Sequence, residues 1–120
     1  MPRKRGVHYV DNAKFLEEIK KWNEKRKEAE EQGEPTPQVT NYIGECFLKI
    51  ANGLAYNPNF IIYTYKQEMI SDGIENCLQY IHNFNPEKSK NPFAYFTQII
   101  YYAFIRRIQK KRNKLISKTK

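Results

Sequence analysis

A chain of 120 residues has room for one domain with a core of moderate size. Its 40% hydrophobic and 28% charged content is ordinary for a folded domain, and 14% aromatic excludes a wholly disordered chain. With 21 basic and 13 acidic residues the formal charge is +8, which points to a polyanionic partner, and no run approaches the roughly 18 apolar residues of a membrane span.

Residues 1–10 carry Arg3, Lys4 and Arg5 and read as a flexible basic arm. The charged start has no apolar stretch after it, so it is not a secretory leader, and a cytoplasmic protein with reduced thiols is expected. Residues 11–120 read as a single helical domain. Asp11 or Asn12 caps a first helix that runs to about Gln32. Phe15, Leu16, Ile19 and Trp22 form its apolar stripe, and beyond Trp22 no buried face is expected. Gly33, Pro35 and Pro37 end that helix and open a linker over 33–39.

Thr40 or Asn41 caps a second helix, where Ile43, Phe47, Ile50 and Leu54 recur at core spacing until Asn57-Pro58-Asn59 stops it. Residues 60–65 are rich in Ile and Tyr but have no second strand to pair with, so a loop or helix start is expected. A third helix is predicted from about Tyr65 to Asn83, burying Met69, Ile70, Ile74, Cys77, Leu78 and Ile81. Its opposite face is acidic and polar: Glu68, Asp72, Glu75 and Gln79 follow at steps of three and four. Pro92 suits the first turn of a fourth helix that continues to about Lys118, roughly 40 Å at about 1.5 Å per residue. The fold class is therefore all-α, a small bundle of about four helices with a basic C-terminal helix.

Cys46 and Cys77 stand alone in apolar surroundings and read as small core residues. With His8 and His82 they give no zinc spacing, so no metal is expected. No catalytic pair or phosphate loop is present in the sequence, so neither an enzyme nor a cofactor is expected.

The fourth helix carries two kinds of chemistry. Phe93, Phe96, Ile100, Phe104 and Ile108 share one side and are expected to face the core. Tyr95, Gln98, Ile99, Tyr102, Arg106 and Gln109 share another. The last fifteen residues hold eight basic groups (Arg106, Arg107, Lys110, Lys111, Arg112, Lys114, Lys118 and Lys120) and no acid, which leaves residues 1–105 formally neutral. Clustered cations suit phosphates, and aromatic rings suit unpaired bases. Nucleic acid is the partner both chemistries share. The plain alternative for Tyr95 and Tyr102 is that they cover the rim of the bundle.

The run from Glu68 to Phe84, followed by Asn91-Pro92-Phe93-Ala94-Tyr95-Phe96-Thr97, resembles conserved region two of bacterial sigma factors. It looks most like the small, divergent late-transcription sigma factors of T4-like phages. Residues 65–75 and 91–98 carry most of the likeness, then Ala103-Phe104 and residues 106–111; it is sharp over about 65–112. The resemblance implies a promoter-recognition factor in the host cytoplasm. Glu68, Ser71, Asp72, Glu75 and Gln79 would then bind the largest-subunit coiled coil of core RNA polymerase. Tyr95, Thr97, Gln98, Ile99 and Tyr102 would read or trap unpaired non-template bases of an AT-rich −10 element. Arg106, Arg107, Lys110, Lys111 and Arg112 would hold phosphates.

Tyr95 aligns with the family's base-stacking tyrosine, Thr97 with a conserved threonine, and Tyr102 with a position that is often a −10-reading glutamine. The departures are specific. Gln98 and Ile99 stand where housekeeping members have a duplex-opening tryptophan pair, which leaves Ile99 as an apolar wedge. Ser71 replaces a polymerase-binding glutamine. No segment resembles the −35 reading domain or the acidic, apolar tail by which phage late members bind the sliding clamp. A naturally shorter chain, or a link to clamp and co-activator made by another protein, is expected. Two rivals share the basic aromatic helix: a non-specific helical nucleic-acid-binding protein and, less well supported by its many tyrosines, a membrane-surface module.

Overall fold

A computed structural model describes residues 10–57, 60 and 64–119, with side chains described as far as Lys110. Four α-helices are present, with no strand among the described residues: α1 (Asn12–Glu31), α2 (Asn41–Ala55), α3 (Lys66–Tyr80) and α4 (Pro92–Thr119). A 3-10 turn, Ile81–Asn83, follows α3. The molecule is an all-α bundle. Of the predicted basic arm only Val10 is described, and it is buried. The loop or helix start expected over 60–65 is described at Phe60, which is buried, and as a turn at Thr64 and Tyr65; residues 61–63 lie outside the described set.

The helix starts follow from local hydrogen bonding. Asp11 accepts from the Lys14 amide at 3.3 Å, and Thr40 from the Ile43 amide at 3.3 Å, so each satisfies one orphan N–H of a first turn. Asn91 caps α4 by accepting from the Ala94 amide at 3.0 Å. Asn12, from the first turn of α1, accepts from the Phe93 amide at 3.0 Å and donates to Asn91 at 2.9 Å. Two residues 79 positions apart thus tie the starts of α1 and α4 together. At its far end α1 closes at Gly33, whose φ of +72° lets the Glu34 amide reach back to the Ala29 carbonyl at 2.8 Å.

The core is aromatic where three helices meet. Phe15 of α1, Phe47 of α2 and Phe96 of α4 pack with ring centroids 4.9 to 6.1 Å apart, and all three are fully buried. Phe60 meets Phe104 edge-on at 5.3 Å. Cys46 and Cys77 lie in this core, where burial pushes the Cys46 thiol up to about 11 and raises that of Cys77 further.

The predicted core of α3 needs correction. Ile74 is only partly buried and Leu78 is 45% exposed. The buried line runs instead through Met69, Ile70, Gly73, Cys77 and Ile81. Gly73 decides this rotation. A Cβ there would lie 2.9 Å from Ile100 Cγ2 and 3.1 Å from Phe104 Cε1, so α3 and α4 approach at a position with no side chain. Apolar periodicity cannot register a contact made by hydrogen. The centre of the interface moves onto Gly73, and Leu78 turns to the rim.

Three smaller expectations also shift. Phe93 is 40% exposed, because the first turn of α4 sits at the end of the bundle, beyond the layer that Phe96 fills. Leu54 is half-buried. The distal half of α1 does have a covered side: Ala29 is buried, and Arg26 lies 5.6 Å from the Trp22 ring while pairing with Glu30 at 3.1 Å. Trp22 in turn donates to the Pro37 carbonyl at 3.1 Å, which pins the linker back on α1.

Candidate nucleic-acid interface

The close passage of α3 over α4 sets two neighbouring arginines of α4 against two different stretches of α3. Arg107 meets carboxylates. Its Nε donates to Asp72 Oδ2 at 2.6 Å and its Nη2 to Asp72 Oδ1 at 3.2 Å, while Nη1 donates to Glu68 Oε1 at 3.0 Å. This is a bidentate fork with a third bond added, and both Arg107 and Asp72 are about three-quarters covered or nearly so (26% and 31% exposed side chains).

Arg106 meets an amide instead. Its Nη2 donates to Asn76 Oδ1 at 2.8 Å, and it has no carboxylate partner among the described residues. Asn76 is held in turn by donating from Nδ2 to the Asp72 carbonyl one turn earlier, at 2.8 Å. The amide orientation follows from the chemistry, since a carbonyl only accepts and a guanidinium only donates.

Beside Arg106 lies a shallow cleft of about 300 Å³ lined by Asn76, Tyr80, Tyr95, Ile99, Tyr102 and Arg106. Its base is rigid. Tyr95 is half-buried, with its ring 5.0 Å from Phe84 and 4.9 Å from Phe96, and its hydroxyl donates to the Tyr80 carbonyl at 3.4 Å. Burial, and then the Cys77 thiolate where it forms, push the Tyr95 phenol above its ordinary value. Ile99 is half-buried against the core. The mouth is open: Tyr102 is 52% exposed and Tyr80 43%. The cleft therefore presents two accessible rings, one seated ring and a cation not neutralised by a carboxylate.

The residues expected on nucleic acid divide accordingly. Tyr95, Ile99, Tyr102 and Arg106 come together in the cleft. Gln98 and Lys110 are exposed on α4 but do not line it. Thr97 does not line it either, and its Oγ1 is buried with no hydrogen-bond partner among the described residues. The sequence placed it by its position in a motif, whereas a step of two residues from Tyr95 turns it about 200° around the helix. Arg107 is committed to Asp72 and Glu68. The side chains of Lys111 and Arg112, and of Lys114, Lys118 and Lys120, lie outside the described residues.

The residues expected on polymerase divide as well. Ser71, Glu75 and Gln79 are exposed along α3. Glu68 is exposed but shares Arg107, and Asp72 is half-buried beneath the same guanidinium. Leu78, read from the sequence as core, joins the exposed face. It borders a groove of about 570 Å³ between the linker and α3, where Trp22, Pro37, Ile81 and His82 also contribute.

Two cleft residues, Asn76 and Tyr80, were missed by sequence reasoning. Both lie in the run from Glu68 to Phe84 that carries the resemblance, but the apolar and acidic spacing of α3 marks neither as a site residue. No described helix is long and apolar enough to cross a membrane. No protein-family model matches the chain, and no curated protein matches it.

Proposed function

We propose that this chain is a sigma-like transcription initiation factor, of the phage late type, acting in the host cytoplasm. It binds host core RNA polymerase through the exposed face of α3 and captures unpaired bases of an AT-rich −10 element on α4. The single observation that carries the reading is the cleft at Arg106. It joins aromatic rings for stacking to an available cation for the phosphate, on the segment whose motif order resembles sigma region two.

Mechanism follows from what each group can do. Tyr102 is the accessible stacking surface, and Tyr95 is the fixed floor that its bonds to Tyr80 and its packing on Phe84 hold in place. Arg106 and the exposed Lys110 attract the backbone and set register. A stacked base contributes about 1–3 kcal/mol, and extruding one costs a few kcal/mol, so this protein alone binds duplex weakly. The polymerase shares the cost of opening. Ser71, Glu75, Leu78 and Gln79, with the exposed Glu68 at one end, form the face offered to it, a polar strip with one carboxylate not shared with Arg107 and one exposed leucine.

The deciding experiment is a pull-down with purified bacterial core RNA polymerase, followed by run-off transcription from a template carrying only an AT-rich −10 element. Polymerase binding with promoter-dependent initiation is expected. DNA binding without polymerase binding would leave a general helical nucleic-acid binder in its place. Glu75→Lys combined with Leu78→Ala is the clean test of the docking face, because charge reversal at Glu68 or Asp72 would also break the Arg107 fork.

A further inference from the structure

We infer that Arg107 is an internal guard of the α3 docking face: it occupies Glu68 and Asp72 in the free protein, and a cationic partner reaches those carboxylates only by displacing it. This inference rests on α3 being a docking face, as proposed above.

The acids of α3 are not equally open. Glu75 is exposed and has no ion pair among the described residues. Asp72 has both oxygens taken, Oδ2 by Arg107 Nε at 2.6 Å and Oδ1 by Nη2 at 3.2 Å. Glu68 accepts from Nη1 of the same guanidinium at 3.0 Å. Glu68 and Asp72 stand one turn apart, so a single planar cation spans both. A partner's cation therefore meets carboxylates that are already paired, and it gains only the difference between two sets of ion pairs. A lone lysine cannot match a bidentate fork, so a loosely placed basic surface competes poorly for Asp72.

The fork is placed where it can open. Side-chain exposure is 53% at Glu68, 31% at Asp72 and 26% at Arg107, so water and a partner reach it. A fully buried pair would leave uncompensated charge on opening, whereas a partly exposed one exchanges at small cost. Nor does the bundle depend on it. The approach of α3 to α4 is made by Gly73 against Ile100 and Phe104, with Met69 and Cys77 fully buried on the same helix. Arg107 can leave α3 without parting the two helices.

The test measures binding of the full-length chain to purified bacterial core RNA polymerase, with circular dichroism to verify that each variant folds. Arg107→Ala is expected to bind roughly threefold or more tightly than wild type, because both acids are then open. Arg107→Lys keeps the charge without the fork and is expected to fall between the two. Asp72→Asn is expected to weaken binding more in the Arg107→Ala background than in wild type, by a factor of roughly threefold or more, because the carboxylate is open to the partner only once the arginine is gone.

Unchanged or weaker binding by Arg107→Ala, with wild type still bound, would overturn the guard and leave the fork as a clamp between helices. Arg107→Lys equal to wild type would overturn it as well, since charge at a distance and not the fork would then set the affinity. Additive effects of Arg107→Ala and Asp72→Asn would show that arginine and partner do not compete for the carboxylate, with the same consequence. Absence of polymerase binding by wild type and by both Arg107 variants would overturn the docking-face reading and the guard with it.

Discussion

On one side of α4, Arg107 is clasped by two carboxylates of α3; on the other, Arg106 rests on a neutral amide beside a cleft of aromatic rings. The two residues are adjacent in the chain, and in sequence both count as one positive charge beside a basic tail. Packed against α3 they differ in kind. Arg107 spends its charge inside the molecule, where a fork of three hydrogen bonds holds the long helix onto α3. Arg106 has a neutral amide beneath it and no carboxylate partner among the described residues. Which of the two cations is neutralised within the molecule is thus decided by what α3 puts beneath it, Asp72 and Glu68 for Arg107 and Asn76 for Arg106.

The largest effect should come from breaking both sides at once. Gly73→Val places atoms where Ile100 and Phe104 already sit, with a Cβ 2.9 Å from the former. A loss of about 3 kcal/mol is expected by urea denaturation, with the cleft and the fork lost together. An unchanged midpoint would show that the helices separate freely and that their approach is not what builds the two sides.

The next comparison lies within the cleft. Tyr95→Ala removes a ring packed on Phe84 and Phe96 and should destabilise the fold by about 2 kcal/mol. Tyr102→Ala, at an exposed position, should leave stability within about 0.5 kcal/mol while weakening single-strand binding. Equal destabilisation by both would return Tyr102 to the role of rim cover.

The two arginines can be separated directly. Arg107→Ala leaves Asp72 and Glu68 facing each other without their cation and should cost about 1 kcal/mol in stability. Arg106→Ala should leave stability nearly unchanged but lower the salt dependence of strand binding by about one counterion. If the salt slope fell equally in both variants, Arg107 would be a phosphate contact after all. The smallest effect is expected from Asp72→Asn. It loosens the fork without removing its shape, and should steepen the salt slope by somewhat less than one counterion as Arg107 becomes available.

Much of this architecture was legible in the chain. Phe15, Ile19 and Trp22, then Ile43, Phe47 and Ile50, then Phe96, Ile100 and Phe104 recur at helical spacing and are all buried. Asp11, Thr40 and Pro92 marked helix starts because capping is a local interaction between residues two or three apart. The candidate interface was half legible. Tyr95, Ile99, Tyr102 and Arg106 share a face by the geometry of one helix, whatever packs around it.

What the sequence by itself determined is therefore what periodicity and local bonding determine: the number of helices, their starts, and which residues of a single helix lie together. Tertiary structure alone decided the rest. It chose Gly73 as the point of closest approach, sent Leu78 and Phe93 to the surface, buried the Thr97 hydroxyl, joined Arg107 to Asp72 and Glu68, and brought Asn76 and Tyr80 to the cleft. Apart from Phe93, which lies at the end of the bundle, and Thr97, placed by its turn around α4, these depend on the rotation of α3 against α4. That rotation is governed by which side chain is absent at the contact, and an absent side chain leaves no mark in a pattern of apolar residues.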